Sequence, residues 1–210
     1  MLHVAVLGSG RGSNFLAILN AVQRGAVPDV RLRVVISNNS NAGILEIARA
    51  NKIPAVHLSQ KLFPGESEFV DALLVELRRH EVDFIVLAGY MKRLHRRVIA
   101  EYRNRIINIH PALLPKYGGT GMYGMRVHEA VVTHGDRVSG ATVHLVDEEF
   151  DRGAIVLQKQ VALEPEDTPE TVAAKVLVVE HEIYPAALRL FAEGKIEVTK
   201  DGVTVHSLVS

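Results

Sequence analysis

Two polar residues at the end of an apolar run, Asn108 and His110, could act together on a carbonyl group. They are two positions apart, so in an extended strand both side chains project from the same face. A carboxamide can donate a hydrogen bond to a developing oxyanion, and an imidazole can donate or carry a proton. The pair therefore predicts chemistry on a carbonyl at the end of a strand. The alternative is that both residues only cap the strand and anchor the Pro-rich loop that follows.

A third candidate, Asp151, stands in the acidic turn 149–153. Alone it is typical of a turn former. If the fold places it beside His110, its charge would favour the imidazolium and raise the pKa of that histidine. His144, on the predicted strand before the turn, is a further candidate for the same site. For His144 the alternative is a half-buried strand histidine with no role in chemistry.

A glycine-rich turn, Gly8-Ser9-Gly10-Arg11-Gly12-Ser13-Asn14, joins the first predicted strand to a helix. Free backbone N–H groups and the positive end of the helix dipole predict a phosphate site there. A dinucleotide site is disfavoured, because Ser13 replaces the third glycine and the second strand ends in Ser37-Asn38-Asn39, without a carboxylate. A Walker A loop is excluded because no Gly-Lys-Ser/Thr follows. A tight strand–helix turn without a ligand is the alternative.

Composition narrows the function classes. The 210 residues include 24 Lys and Arg and 24 Asp and Glu, so the formal charge is zero and predicts no field for nucleic acid or an anionic membrane. The absence of cysteine excludes disulfides, thiolate metal sites and a cysteine nucleophile, and fits a cytoplasmic location. Histidine spacing predicts no metal site. No apolar run is long enough to span a bilayer, and the N-terminus reads as a first strand rather than a signal peptide.

Short apolar runs alternate with helical patterns in the first half, which predicts an α/β fold with a doubly wound, mostly parallel sheet. The predicted strands are His3–Leu7, Leu32–Ser37, Ala55–Leu58, Phe84–Leu87 and Arg105–Ile109, and the predicted helices are Asn14–Arg24, Ala42–Asn51 and Glu66–His80.

The pattern changes after Ile109. We predict a Pro- and Gly-rich loop over 110–125, a helix near Val127–His134, strands Ser139–Val146 and Ile155–Val161, and a long helix opening at Thr168. Thr171 supplies no capping carboxylate, and Pro185 is expected to kink or split the helix. The tail, Glu197–Val205, predicts a hairpin around Asp201-Gly202. The chain is expected to form one domain over 1–210, with halves 1–109 and 110–196 and a tail 197–210.

Five motifs occur in an order that carries a resemblance. They are Gly-x-Gly-Ser-Asn, Ser-Asn-Asn-x-x-Ala, Leu-Ala-Gly-Tyr-Met-Lys, Asn-Ile-His-Pro-Ala-Leu-Leu-Pro-Lys and Val-Asp-x-x-x-Asp-x-Gly. From about residue 2 to residue 196 the chain resembles the phosphoribosylglycinamide formyltransferases, the folate-dependent enzymes of purine biosynthesis. The resemblance implies a Rossmann-like formyltransferase fold with an antiparallel C-terminal part. It also implies transfer of the formyl group of 10-formyltetrahydrofolate to the amine of glycinamide ribonucleotide.

The same resemblance implies site residues. Asn108, protonated His110 and Asp151 would be catalytic. The ribonucleotide would be bound by Gly12, Ser13, Asn14 and Glu180, and the folate by Met91, Lys92, Arg93, Leu94, Asn108, Val146, Asp147 and Glu148. The only implied partners are small molecules, without metal, nucleic acid or membrane, and the chain would be a monomer or homodimer.

Some residues depart from the family pattern. Lys92 stands where arginine is frequent, the segment 64–69 lacks an arginine that some members carry there, and the loop 117–125 differs in length. Formyltetrahydrofolate deformylase and methionyl-tRNA formyltransferase share the Asn-x-His…Asp pattern. They are disfavoured here because the first carries an extra N-terminal domain and the second a basic C-terminal domain. A non-catalytic nucleotide-binding module is the alternative from another class.

Overall fold

Seven strands form the central sheet of the computed structural model, which describes residues 1–199 and 202–206. They are β1 (Leu2–Leu7), β2 (Val30–Ser37), β3 (Ala55–His57), β4 (Phe84–Leu87), β5 (Ile106–His110), β6 (Val138–Leu145) and β7 (Ile155–Ala162). Their order is β3-β2-β1-β4-β5-β6-β7. The β1–β2, β1–β4 and β2–β3 pairs are parallel, whereas β6 and β7 are antiparallel. The predicted fold class, a mostly parallel sheet with an antiparallel C-terminal part, is confirmed.

In the described part of the chain, six helices accompany the strands. They are α1 (Ser13–Gln23), α2 (Gly43–Ala50), α3 (Glu66–Arg79), α4 (Arg96–Glu101), α5 (Met125–Thr133) and α6 (Pro169–Ala192), with a 3-10 turn over Gln60–Leu62. Only α4 was not predicted. It is six residues long and buries Val98 and Ile99, and its N-terminus is capped by the His95 ring, which accepts a hydrogen bond from the Arg97 amide. A single turn with a histidine cap leaves too little periodicity to be recognised in sequence.

The chain divides into two compact units, Met1–Ile107 and Asn108–Ser210. In the first unit, residues 4–7 of β1 and all four residues of β4 are buried. Such continuous apolar runs are typical of parallel strands that are covered on both faces. The helix α2 packs against β2, β3 and α1 with Ile44, Leu45 and Ala48 buried. The predicted division of functions between residues 1–109 and 110–196 stays a prediction.

In the second unit, α6 packs against β6, β7 and α5. Its N-terminus carries a reciprocal cap: Thr168 Oγ1 accepts from the Thr171 amide, and Thr171 Oγ1 accepts from the Thr168 amide. A hydroxyl therefore performs the part that a glutamate has in the usual capping box. Pro185 was expected to kink or split the helix; it does not split it, because the helix is continuous from Pro169 to Ala192, and the kink stays a prediction. Pro185 is buried, and its packing offsets the backbone hydrogen bond that proline cannot donate.

The chain ends in a small two-stranded sheet. Strands β8 (Ile196–Thr199) and β9 (Gly202–Val205) pair antiparallel, which confirms the strands of the predicted hairpin. Asp201, the first residue of the predicted turn pair, lies outside the described residues. Among the helices in the described part of the chain, none combines the length and the apolar character that crossing a bilayer requires.

Candidate active site

The glycine-rich turn lines a cavity in the first unit. Gly12 precedes α1 with φ of 85° and has no side chain that could cap this helix. The positive end of the helix dipole at such an N-terminus suits an anion. The cavity measures about 440 Å³ and is lined by Ser9, Gly10, Arg11, Gly12, Ser13, Asn14, Asn38, Asn39, Ala88, Gly89, Met91 and Lys92. The three predicted phosphate-binding residues therefore lie in one cavity wall.

Ser9 connects the ends of three parallel strands at this cavity. Its hydroxyl donates to Asn38 Oδ1 at 2.5 Å and accepts from the Met91 amide at 2.8 Å. Its carbonyl accepts from Asn39 Nδ2 at 2.7 Å. The sequence analysis used Asn38 and Asn39 to disfavour a ribose-binding carboxylate and as part of one family motif, and it missed that they brace the glycine turn. The signal was available, since polar residues at the carboxyl ends of adjacent parallel strands meet at one edge.

The four residues predicted as the first folate-binding segment have different surroundings in the structure. Met91 and Lys92 line the same cavity as the glycine turn, so that Lys92 brings a cation to its wall. Arg93 is exposed and is not part of the lining, while Leu94 is only 5% exposed and contributes to the core.

The catalytic candidates lie together in the second unit. Asn108 and His110 lie on β5, His144 lies on β6, and Asp151 follows β6 in a turn with φ of 55°. The two Asp151 oxygens lie 3.6 Å from His110 Nδ1 and 3.6 Å from His144 Nε2. Asn108 Nδ2 lies 3.2 Å from His144 Nε2. One carboxylate thus lies between two imidazoles, and one of these imidazoles contacts the carboxamide.

Backbone carbonyls determine which ring nitrogens carry protons. His110 Nε2 lies 2.7 Å from the Tyr117 carbonyl oxygen, which can only accept, so Nε2 donates and Nδ1 points to Asp151. His144 Nδ1 likewise donates to the Leu145 carbonyl at 2.8 Å. In neutral His144, Nε2 is then an acceptor for one N–H of Asn108, and the second N–H of that amide is available to an oxyanion.

Burial dominates the protonation of both histidines. His110 is 3% exposed, and burial lowers its pKa below the ordinary value, although the Asp151 charge and the Tyr117 carbonyl act to raise it. Burial lowers the pKa of His144 as well, against the Leu145 carbonyl and Asp151. Asp151 acts in the expected direction, but burial has the larger effect, so the pKa of His110 lies below its ordinary value and not above it. A lowered pKa favours the neutral imidazole at neutral pH.

The acidic turn is held by a close backbone approach. A Cβ on Gly153 would lie 1.8 Å from the Leu145 carbonyl oxygen, so only glycine fits there. Of the residues predicted to contact folate in this turn, Val146 is half-buried, and Asp147 and Glu148 are exposed. Glu180, on α6, is 8% exposed, which is unusual for a carboxylate. Within residues 1–199 and 202–206, no three His, Asp or Glu side chains are placed to hold a metal ion.

Comparisons with known proteins show the family of the chain. The family model described as "Formyl transferase" matches residues 2–188. The chain is 42% identical over 205 residues to the chloroplastic phosphoribosylglycinamide formyltransferase of Vigna unguiculata, covering 95% of this chain and 64% of that protein. It is 40% identical over 198 residues to phosphoribosylglycinamide formyltransferase of Haemophilus influenzae, covering 94% and 91%.

Solved structures extend the likeness. Glycinamide ribonucleotide transformylase 1 from Symbiobacterium toebii superposes with a TM-score of 0.92 at 38% identity, over 99% of this chain and 95% of that one. A formyltetrahydrofolate deformylase from Pseudomonas syringae superposes with a TM-score of 0.88 at 25% identity, over 98% and 66%. Both the sequence and the fold therefore show that the chain belongs to the formyl transferase family.

Proposed function

We propose that this protein transfers the formyl group of 10-formyltetrahydrofolate to the amine of 5'-phosphoribosylglycinamide, a step of purine biosynthesis that yields formylglycinamide ribonucleotide and tetrahydrofolate. The observation that carries the proposal is the contact of Asn108, His110, His144 and Asp151 at the end of β5. Acyl transfer to an amine requires a hydrogen-bond donor to the oxyanion and a group that carries the proton of the attacking amine. The names of the formyltransferase relatives support this acceptor and a formyl group as the group transferred, and the name of the related deformylase supports a formyl-folate donor.

Binding is assigned to the residues that the family resemblance implied. The uncapped N-terminus at Gly12, Ser13 and Asn14 would bind the ribonucleotide phosphate, supported by the cavity that these residues line. Glu180 would contact the glycinamide end, where a buried carboxylate suits an amine or amide N–H. The folate would be bound by Met91, Lys92, Arg93, Leu94, Asn108, Val146, Asp147 and Glu148.

The mechanism follows from the protonation states. The substrate amine attacks the formyl carbon, a C–N bond forms, and the carbonyl oxygen becomes an oxyanion that accepts the second N–H of Asn108. Neutral His110, or a water held by Asp151, takes the proton of the attacking nitrogen. When His110 is the carrier, Asp151 at 3.6 Å stabilises the imidazolium that forms. The proton then passes to N10 of the folate as the bond from N10 to the formyl carbon breaks.

Hydrolysis of 10-formyltetrahydrofolate is the second candidate, because the deformylase from Pseudomonas syringae has the same fold. The two functions differ only in the acceptor, which is an amine in one and water in the other. Asn108, His110 and Asp151 suit an amine and a water acceptor equally, so an experiment must distinguish transfer from hydrolysis.

The test is the release of tetrahydrofolate, followed by absorbance, from purified protein and 10-formyltetrahydrofolate with and without the ribonucleotide. Release that depends on the ribonucleotide, with its formylated product detected by mass spectrometry, is the expected result. Equal release without the ribonucleotide would assign the hydrolase. No release under either condition would contradict both and leave a non-catalytic binding module.

Other expectations stay predictions. They are activity without a metal ion, small molecules as the only partners, a cytoplasmic location, and a monomer or homodimer. A chelator that leaves the rate unchanged and light scattering of the purified chain would test the first and the last.

A further inference from the structure

A short turn, residues 115–119, contacts both His110 and Asp151. The Tyr117 carbonyl accepts from His110 Nε2 at 2.7 Å, and the Gly119 amide donates to Asp151 Oδ2 at 2.9 Å. The two contacts lie two residues apart in one backbone segment. A shift of this turn would therefore move the partners of His110 and Asp151 together.

The turn is attached to the rest of the second unit through the side chain of Tyr117. Its hydroxyl donates to Asp136 Oδ2 at 2.8 Å, and its ring packs edge-on against His134 with 5.5 Å between ring centroids. Asp136 follows α5, and its amide donates to the Val131 carbonyl of that helix at 3.2 Å. The Tyr117–Asp136 hydrogen bond thus connects the turn to a regular element.

Tyr117 needs such support because of its backbone. Its φ of 58° lies in the left-handed region, which is strained for a residue other than glycine. Lys116 also contacts Asp136, at 2.7 and 2.8 Å, but its side chain is 58% exposed. An exposed ion pair contributes little, so of the two side-chain contacts to Asp136 the half-buried hydroxyl bond is the stronger.

We propose that Tyr117 and Asp136 are positioning residues for His110 and Asp151. Neither side chain takes part in the reaction. The Tyr117–Asp136 bond holds the turn so that one carbonyl fixes the His110 ring and one amide fixes the Asp151 carboxylate. This inference rests on the proposed formyl transfer for its kinetic consequence, whereas its structural consequence at His110 is independent of it.

The first test is Tyr117→Phe, which removes the hydroxyl bond and keeps the ring against His134, with Asp136→Asn as a second variant. We expect kcat for formyl transfer to fall about 10- to 100-fold in both, because small displacements of catalytic groups have effects of that size. The KM for the ribonucleotide should stay within about twofold, because the phosphate cavity is not changed. Tyr123→Phe removes the same oxygen from a half-exposed tyrosine of the same loop and serves as the control.

The second test reads the His110 ring directly, by long-range ¹H–¹⁵N spectra of uniformly labelled protein. In the unchanged protein we expect His110 to carry its proton on Nε2, and in both variants to show a mixture of tautomers. A fall in kcat with unchanged His110 signals, or an unchanged kcat, would overturn the positioning role. If the unchanged protein has no transferase activity, the proposed function fails, while the spectra still decide whether the Tyr117–Asp136 bond fixes His110.

Discussion

At the scale of single residues, the position of Asn108, the proposed oxyanion donor, depends on a chain of hydrogen bonds. The Leu145 carbonyl fixes the His144 tautomer, and His144 in turn accepts from Asn108. Asn108 can then present its remaining N–H without rotating. His144 thus has a specific contact in the site, which the sequence left open between a site residue and a half-buried strand histidine. Preorganised donors of this kind stabilise the transition state because they need no reorganisation when charge develops.

We predict that Asn108→Ala lowers kcat by about 10²- to 10³-fold with little change in either KM, since an oxyanion donor acts in the transition state. Steady-state kinetics with both substrates checks this. Asn20→Ala, which removes an exposed carboxamide from α1, is the matched control. A large increase in KM with an unchanged kcat would instead assign Asn108 to substrate binding.

At the scale of elements, both sites lie where a strand ends. The turn after β1 lines the cavity proposed for the phosphate, and the proposed catalytic residues lie on β5 and in the turn after β6. Glycine allows the backbone of each turn to pass a neighbour closely. At Gly12 an added Cβ would lie 2.8 Å from the Ile44 Cα of α2, and φ is positive as well. Neither the neighbour nor the conformation tolerates a larger residue.

Gly12→Ala should therefore move the turn away from α2 and weaken phosphate binding. We expect the KM for the ribonucleotide to rise at least about tenfold, and the free energy of unfolding to fall by roughly 1–3 kcal/mol because of backbone strain. Kinetics and urea denaturation give the two values. Gly65→Ala is the control, because Gly65 is not in the left-handed region and its added Cβ meets only the flexible Glu68 side chain. A normal ribonucleotide KM in Gly12→Ala would contradict the phosphate assignment.

At the scale of the whole molecule, buried histidines make stability depend on pH. Burial lowers the pKa of His110, His128 and His144, so the native state holds them neutral where the unfolded chain accepts protons. Below pH about 6.5, the ordinary histidine value, the unfolded state binds more protons than the native state. The contribution of these three histidines to stability is therefore fully present above that pH. It is lost as the pH falls towards their lowered pKa values.

We predict that the free energy of unfolding, from urea denaturation, decreases between pH 7.5 and pH 5.5. Each histidine can contribute at most about 1.4 kcal/mol per pH unit. His128→Leu should reduce this slope, because it removes one imidazole whose pKa is lowered by burial. The Nδ1 atom of His128 has no hydrogen-bond partner among the described residues, so the substitution breaks no such bond there. His57→Leu, at a half-exposed position, is the control. A slope that is the same in His128→Leu and the unchanged protein would contradict the assignment.

The sequence alone determined the fold class, most element boundaries and the catalytic trio as candidates. It could do so because hydrophobic period, glycine placement and the Asn-x-His spacing are local properties. Only the tertiary structure decided that α6 passes through Pro185 unbroken. It alone shows that Ser9, Asn38 and Asn39 brace the glycine-rich turn. It also shows that Tyr117 contacts His110 and that Gly119 contacts Asp151. These outcomes depend on residues distant in sequence. Burial also lowers the pKa of His110 where Asp151 alone would raise it, since desolvation depends on the whole environment of a group.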